Sequence, residues 1–127
     1  VVGVESVAMS IGRARYNARL NHLPHVRFEV VDLYSEQGIA ISLSPYNKVV
    51  LDPPRTGAEL LCKSLADSDA ETIVYVSCNP VTLARDANLL TDAGFCLDCA
   101  RVVDMFPHTT HVESIARFTR SKRTAHG

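Results

Sequence analysis

Residues 73–86 read IVYVSCNPVTLARD, and this stretch decides how the chain folds. It begins with a run of apolar, mostly β-branched residues, which is typical of a buried strand. The run ends in a polar turn that carries Cys78, and Pro80 then opens a pattern typical of a helix. The stretch therefore predicts a strand that ends just before Cys78 and a helix that begins just after it.

The predicted position of Cys78 is suited to chemistry. Open α/β folds bind their ligands at the carboxyl ends of parallel strands. A helix N-terminus stabilises anions, so it favours the thiolate over the thiol. A lone cysteine is more often a small buried hydrophobe. Its position nevertheless makes Cys78 a candidate nucleophile.

The rest of the chain alternates between short aliphatic strands and helical patterns. This alternation predicts an α/β fold whose sheet is mostly parallel and buried on both faces, with an antiparallel last strand. Gly94 is expected at the C′ position that ends the third helix, and Ser6 is the expected N-cap of the first. The predicted strands cover residues 1–5, 26–31, 48–51, 72–77, 95–103 and 112–119, and the predicted helices cover 6–20, 57–65 and 81–93.

Polar residues end or follow the first four predicted strands: Glu5, Asp32, Asp52 and Cys78. Because the carboxyl ends of parallel strands meet at one edge, this pattern predicts a cofactor crevice there. A Rossmann-like domain also has a Gly-rich turn after its first strand, but the six glycines form no G-x-G-x-x-G. We therefore expect the first strand and its Gly-rich loop to be missing, and the chain to be a fragment of a longer protein.

Composition is that of one ordinary globular domain. The chain has 127 residues, of which 46% are hydrophobic, and a net charge of −1, which argues against a stand-alone RNA-binding protein. With no signal peptide and no long apolar span, we expect a cytoplasmic protein with reduced thiols and no membrane partner. The basic residues near the end predict a solvated, frayed C-terminus, with 123–127 a disordered tail; they are Arg117, Arg120, Lys122 and Arg123.

Two patterns imitate metal sites. Cys96 and Cys99 have C-x-x-C spacing, but in a strand residues three apart point to opposite faces, and no second pair completes a zinc site. His108 and His111 with Glu113 are a weak zinc signal, because a loop entering a strand supplies too few ligands. We predict no metal site and interpret the histidines as local structure or RNA contacts.

Three motifs occur in order: DPPR at residues 52–55, SCNP at 77–80 and FPHTTHVE at 106–113. With them, residues 1–122 resemble the catalytic domain of the bacterial RNA 5-methyluridine methyltransferases, especially those that modify 23S ribosomal RNA. The resemblance implies an S-adenosylmethionine-dependent, Rossmann-like domain preceded by further N-terminal domains. We therefore expect 1–122 to be a partial methyltransferase catalytic domain whose partners are ribosomal RNA and those missing N-terminal domains.

The resemblance also implies roles for five residues. Cys78 would be the nucleophile, Glu113 the base, and Asp52 would lie near the methionine end of the cofactor and the target base. Glu5 would bind the ribose hydroxyls of S-adenosylmethionine, and Asp32 would lie beside the adenine. The implied reaction is methylation of uracil C5 through a covalent adduct between the cysteine and C6. It is the function of the full-length parent, and we expect the fragment alone to be inactive.

Other functions compete with this one. A nucleic-acid amino-methyltransferase shares the acid-Pro-Pro pattern, but Arg55 occupies its aromatic position. A cysteine phosphatase is excluded, because six residues separate Cys78 from Arg85, one more than its phosphate loop allows. The remaining alternative is a non-catalytic Rossmann-like fragment or binding module.

Without a first strand two strand edges are exposed. We therefore expect the isolated chain to pair these edges directly, to form a homodimer through them, or to be poorly stable.

Overall fold

The computed structural model describes residues 1–35, 38, 43, 46–105, 108 and 112–121. The chain divides into two compact units, Val1–Ile41 (unit 1) and Ser42–Gly127 (unit 2). In the part of the chain that is described, no helix has the length and apolar character needed to cross a membrane. The predicted tail at 123–127 lies outside the described residues.

Unit 1 is a strand–helix–strand element made of β1 (Val2–Glu5), α1 (Ala8–Leu20) and β2 (Arg27–Val30). The two strands are parallel, as the alternation predicts, and their last residues Glu5 and Val30 lie opposite each other. The prediction of Ser6 as the N-cap is wrong. Val7 holds that position, and the Ser6 hydroxyl instead donates a hydrogen bond to Glu5 Oε1 at 3.1 Å.

Unit 2 contains β3 (Lys48–Leu51), α2 (Glu59–Ala66), β4 (Thr72–Ser77), α3 (Pro80–Asp92), β5 (Cys96–Val103) and β6 (Glu113–Thr119). Its sheet has the strand order β3-β4-β6-β5. β3 is parallel to β4, and β6 is antiparallel to both β4 and β5. The α/β fold and its antiparallel last strand are thus confirmed.

The core of unit 2 lies on one face of its sheet. Along β4, Ile73, Tyr75 and Ser77 are buried while the residues between them are half-buried. On the opposite face, Val50 of β3 is 73% exposed. The expectation of a sheet buried on both faces is therefore wrong here, since burial alternates with the two-residue period of a strand. The other buried apolar residues include Leu51, Cys62, Leu65, Leu90, Phe95, Ala116 and Phe118.

The C-terminus of α3 is closed as the sequence predicts. Gly94 has φ +91° at the C′ position, its N–H donates to the Thr91 carbonyl at 3.0 Å, and the Phe95 N–H donates to the Leu90 carbonyl at 3.0 Å. This is the Schellman pattern, which satisfies carbonyls that the helix leaves without partners.

The prediction of a frayed basic C-terminus is wrong for Arg117 and Arg120. Arg117 lies in β6 and forms an ion pair with Asp98 at 2.6 Å. The Arg120 guanidinium lies 4.1 Å from the centre of the Phe95 ring. It also donates hydrogen bonds to the backbone carbonyls of Leu65, Ala66, Ser68, Ala70 and Ala93. These carbonyls lie at or just after the ends of α2 and α3, so Arg120 joins the two helix ends. Lys122 and Arg123 lie outside the described residues.

A β-bulge changes the arrangement of the C-x-x-C pair. Cys96 pairs with Thr119 and Cys99 with Arg117, and the register shifts between Leu97 and Cys99. Because Thr119 and Arg117 are two residues apart, they share a face, and so do the two cysteines. The prediction that they point to opposite faces is therefore wrong.

Candidate active site

Three of the predicted site residues lie at the same edge of the sheet in unit 2. Asp52 directly follows β3, which is in parallel register with β4, and Cys78 directly follows β4. Glu113 begins β6, whose next residue Ser114 pairs with Ser77. Cys78 directly follows Ser77 and Glu113 directly precedes Ser114, so both residues adjoin this pair. Asp52 is exposed, and the other two are half-buried.

The turn that carries Cys78 is held by its own side chains. The Ser77 hydroxyl accepts a hydrogen bond from the Asn79 N–H at 3.0 Å and donates one to the Asn79 carbonyl at 2.8 Å. Asn79 is the N-cap of α3, and its Oδ1 accepts the Val81 N–H at 3.0 Å. Pro80 occupies the first helical turn, where a missing N–H leaves no hydrogen bond unmade. Cys78 therefore lies between a strand end and a capped helix start, as predicted.

The loop after Asp52 is attached to the start of α3. The Arg55 carbonyl accepts two hydrogen bonds, from Asn79 Nδ2 at 3.1 Å and from the Thr82 hydroxyl at 3.0 Å. One turn further along the helix, Arg85 Nη2 donates to the Thr56 carbonyl at 2.9 Å. These bonds connect the loop that contains Asp52 to the helix that follows Cys78.

A fully buried carboxylate lies beneath this loop. Asp86 Oδ2 accepts hydrogen bonds from the Ala58 N–H at 2.6 Å and from the Tyr75 hydroxyl at 2.5 Å. Its Oδ1 accepts Arg85 Nε at 2.9 Å and lies 2.8 Å from Arg85 Nη2. A buried charge is tolerated when it is paired and hydrogen-bonded in this way. Burial, together with the hydrogen bond to Asp86, raises the pKa of Tyr75.

Gly57 is required where the loop crosses this carboxylate. It has φ +79°, and a Cβ added there would lie 2.6 Å from both Arg85 Nη2 and Asp86 Oδ2. Both the backbone conformation and the close approach favour glycine. The segment predicted as helical from Gly57 accordingly begins its helix at Glu59.

The two predicted cofactor residues of unit 1 lie at the carboxyl ends of their strands. Glu5 ends β1, and its Oε1 accepts the Val7 N–H at 3.0 Å. This backbone hydrogen bond, with a smaller contribution from the Ser6 hydroxyl, lowers the pKa of Glu5 and keeps it ionised. Asp32 is exposed two residues after β2, and its Oδ1 accepts the Tyr34 N–H at 2.9 Å. Carboxylate oxygens accept hydrogen bonds, so this pair fits a ligand that presents hydroxyl and amine donors.

Some of the site was not evident from the sequence. Neither the strand-end pattern nor the family resemblance points to Asp86, yet it organises the loop between Asp52 and α3. Its signal was a charged residue in an otherwise helical pattern, directly after an arginine. Of the FPHTTH segment at 106–111, only His108 is described; it is exposed, with φ +65°. His111 lies outside the described residues.

The chain belongs to the tRNA (uracil-5-)-methyltransferase family, whose model matches residues 8–121. It is 50% identical over 123 residues to the 23S rRNA (uracil(1939)-C(5))-methyltransferase RlmD of Thiobacillus denitrificans, covering 94% of this chain. It is 48% identical over 126 residues to the same enzyme of Hahella chejuensis, covering 95% of this chain. The chain spans only 28% of the length of either relative.

Solved structures share the fold at low sequence identity. The N-methyltransferase NodS of Bradyrhizobium japonicum matches with a TM-score of 0.70 and 14% identity, over 95% of this chain and 73% of that one. The magnesium protoporphyrin IX methyltransferase of Synechocystis, solved with bound SAH, matches with a TM-score of 0.68 and 17% identity, over 95% and 64% of the two chains. The fold is therefore that of S-adenosylmethionine-dependent methyltransferases.

Proposed function

We propose that the protein containing this chain methylates uracil C5 in ribosomal RNA, using S-adenosylmethionine and a covalent adduct on Cys78. The observation that carries the proposal is the register of β4 and β6. Ser77 pairs with Ser114 in this register, and the proposal is supported because Cys78 and Glu113 adjoin that pair at the edge where Asp52 follows β3. Membership of the uracil-5-methyltransferase family supports the same reaction, and so does the activity of the 23S rRNA uracil-C5-methyltransferases that are about half identical to this chain.

The reaction needs a nucleophile and a base. The Cys78 thiolate adds to C6 of the uracil, which turns the ring into an enolate and makes C5 nucleophilic. C5 then takes the methyl group, and Glu113 removes the C5 proton. The electron pair of that C–H bond restores the C5–C6 double bond and expels the thiolate. Asp52, at the same edge, is assigned to positioning the target base.

S-adenosylmethionine would supply an activated methyl group on a sulfonium sulfur. We assign Glu5 to the ribose hydroxyls, because its ionised carboxylate accepts hydrogen bonds at the end of β1. Asp32, exposed after β2, is assigned to the adenine amine. The target uracil must come from a single-stranded loop or be flipped out of a helix, which costs a few kcal/mol.

Covalent trapping tests the mechanism. The full-length protein is incubated with S-adenosylmethionine and a short RNA containing 5-fluorouridine, and adducts are detected by denaturing mass spectrometry. Because fluorine replaces the C5 proton, the base has nothing to remove, and the complex stalls on Cys78 with one methyl group transferred. We expect Cys78→Ala to abolish the adduct.

Cys96→Ala is the matched control, since Cys96 is an exposed cysteine on β5 of the same unit. It should form the adduct at the wild-type level. An adduct that survives in Cys78→Ala would refute the assignment of the nucleophile. A wild-type protein that methylates ordinary RNA without ever forming the fluorouridine adduct would refute the covalent mechanism.

A further inference from the structure

Both polar atoms of the Asn79 side chain form hydrogen bonds. Its Oδ1 accepts the Val81 N–H at 3.0 Å and so caps α3, while its Nδ2 donates to the Arg55 carbonyl at 3.1 Å. Capping requires only the acceptor, and serine or aspartate would serve equally well. The amide nitrogen is the part of this side chain that reaches the neighbouring loop.

The Arg55 carbonyl is a junction between the two loops of the candidate active site. It lies in the segment that starts with Asp52, and it accepts from a residue adjacent to Cys78 and from Thr82 in the first turn of α3. Further along, Asp86 and Arg85 anchor the same segment at Ala58 and Thr56. The segment is thus held at Ala58 by the buried carboxylate of Asp86 and at Arg55 by the side-chain amide of Asn79.

We propose that Asn79 is a positioning residue that couples the Cys78 turn to the Asp52 loop through the Arg55 carbonyl. Its effect on catalysis rests on the proposed function. With the bond in place, the nucleophile and the Asp52 carboxylate keep a constant separation while the base is bound. Errors of about 1 Å in such a separation cost up to about a hundredfold in rate, so a loosened loop lowers kcat.

Asn79→Asp separates the two uses of the side chain in the full-length protein. The aspartate keeps the oxygen that caps Val81, but it places a second oxygen against the Arg55 carbonyl, where no hydrogen bond forms. We expect kcat for uridine methylation to fall about tenfold while KM for RNA and for S-adenosylmethionine changes less than about twofold. Helix content by circular dichroism should stay at the wild-type level, because the cap is retained.

Hydrogen exchange measures the coupling without any reaction. The Gly57 N–H donates to the Pro54 carbonyl at 2.9 Å inside the loop, so it reports on local opening. We expect Asn79→Asp to speed the exchange of this amide by about fivefold, the factor that one lost hydrogen bond is worth. Thr82→Val, which removes the second donor to the same carbonyl, should act in the same direction.

Thr91→Val is the matched control. Thr91 lies in the same helix, and its hydroxyl donates to a carbonyl of that helix, Asn88, at 3.0 Å. It should change neither the exchange of Gly57 nor kcat.

Unchanged Gly57 exchange in both Asn79→Asp and Thr82→Val would overturn the coupling. Faster exchange with an unchanged kcat would overturn the positioning role. If the wild-type protein forms no 5-methyluridine, the proposed function fails, and the exchange measurement still decides whether Asn79 couples the loops.

Discussion

Two cysteines of unit 2 have opposite surroundings. Cys78 is half-buried at the sheet edge, whereas Cys62 is fully buried in α2. Burial, and to a smaller extent the negative charge of Asp86, raises the pKa of the Cys62 thiol from 9.0 to about 12. A neutral, enclosed thiol is a poor nucleophile. At the scale of single residues, environment rather than residue type separates the structural cysteine from the candidate nucleophile.

This raised pKa predicts a loss of stability in alkaline solution. Below pH 9.0 the Cys62 thiol is protonated in both the folded and the unfolded chain, and its contribution to stability is fully present. As pH rises from there toward about 12, the unfolded chain loses the proton while the folded chain keeps it. The free energy of unfolding therefore falls, by up to about 1.4 kcal/mol per pH unit.

Denaturant unfolding measured at a series of pH values checks this prediction. Cys62→Ala lowers stability at neutral pH, because it leaves a cavity, and it should make the alkaline decline shallower. The pKa of Tyr75 is also raised, so the Cys62→Ala variant should still show part of the alkaline decline in stability. Cys96→Ala removes an exposed thiol and should retain the wild-type slope. Equal slopes in Cys62→Ala and the wild-type chain would contradict the assignment.

At the scale of elements, the loop between β3 and α2 and the turn after α3 both contain a glycine with positive φ. Gly57 has φ +79° and Gly94 has φ +91°. A Cβ on Gly94 would meet nothing within 4 Å, whereas on Gly57 it would lie 2.6 Å from Arg85 Nη2 and Asp86 Oδ2. Alanine substitutions at the two glycines therefore separate the energetic cost of backbone strain from the cost of steric crowding.

We expect Gly94→Ala to cost about 1–2 kcal/mol of unfolding free energy, the cost of a left-handed conformation for a residue with a Cβ. Gly57→Ala should cost this amount plus about 1–3 kcal/mol, because it also displaces the partners of a buried carboxylate. Equilibrium denaturation of the two variants gives the difference directly. Equal losses of unfolding free energy in the two variants would contradict this prediction, because they would mean that the added methyl group at Gly57 has no steric cost.

At the scale of the whole molecule, strands with open edges and an exposed apolar face favour association. Within the described residues β3 pairs only with β4, and β5 only with β6. Val50 on β3 is 73% exposed and Ile115 on β6 is 38% exposed, on the face opposite the core. Unpaired edges and exposed apolar side chains promote pairing with a second chain.

We therefore expect the isolated chain to form dimers or larger species as its concentration rises, which sedimentation velocity measures. Val50→Lys places a charge beside the open edge of β3 and should shift the chain toward monomer. Met9→Lys is the control, because Met9 is 82% exposed on α1, outside both sheets. A wild-type chain that stays monomeric at every concentration and unfolds cooperatively would contradict the prediction.

The sequence by itself determined what depends on neighbouring residues. The apolar run before Cys78, the Asn79-Pro80 helix start and the glycine after α3 are local signals, and the structure follows them within one or two residues. Polar residues at successive strand ends also predicted the edge where Asp52 and Cys78 lie. The reason is that strand period, capping and turn conformation are set within a few residues.

Only the tertiary structure decided the contacts between distant residues. Ala58 and Asp86 meet across 28 positions, and Arg120 reaches the carbonyls of Ala70 and Ala66, which are 50 and 54 positions away. The bulge that turns Cys96 and Cys99 to one face depends on pairing with β6. Local patterns do not specify such pairings, because burial and hydrogen-bond partners follow from how whole elements pack. The sequence alone thus predicted that Asp52 and Cys78 lie at one edge of the sheet, and packing decided which contacts hold their loops there.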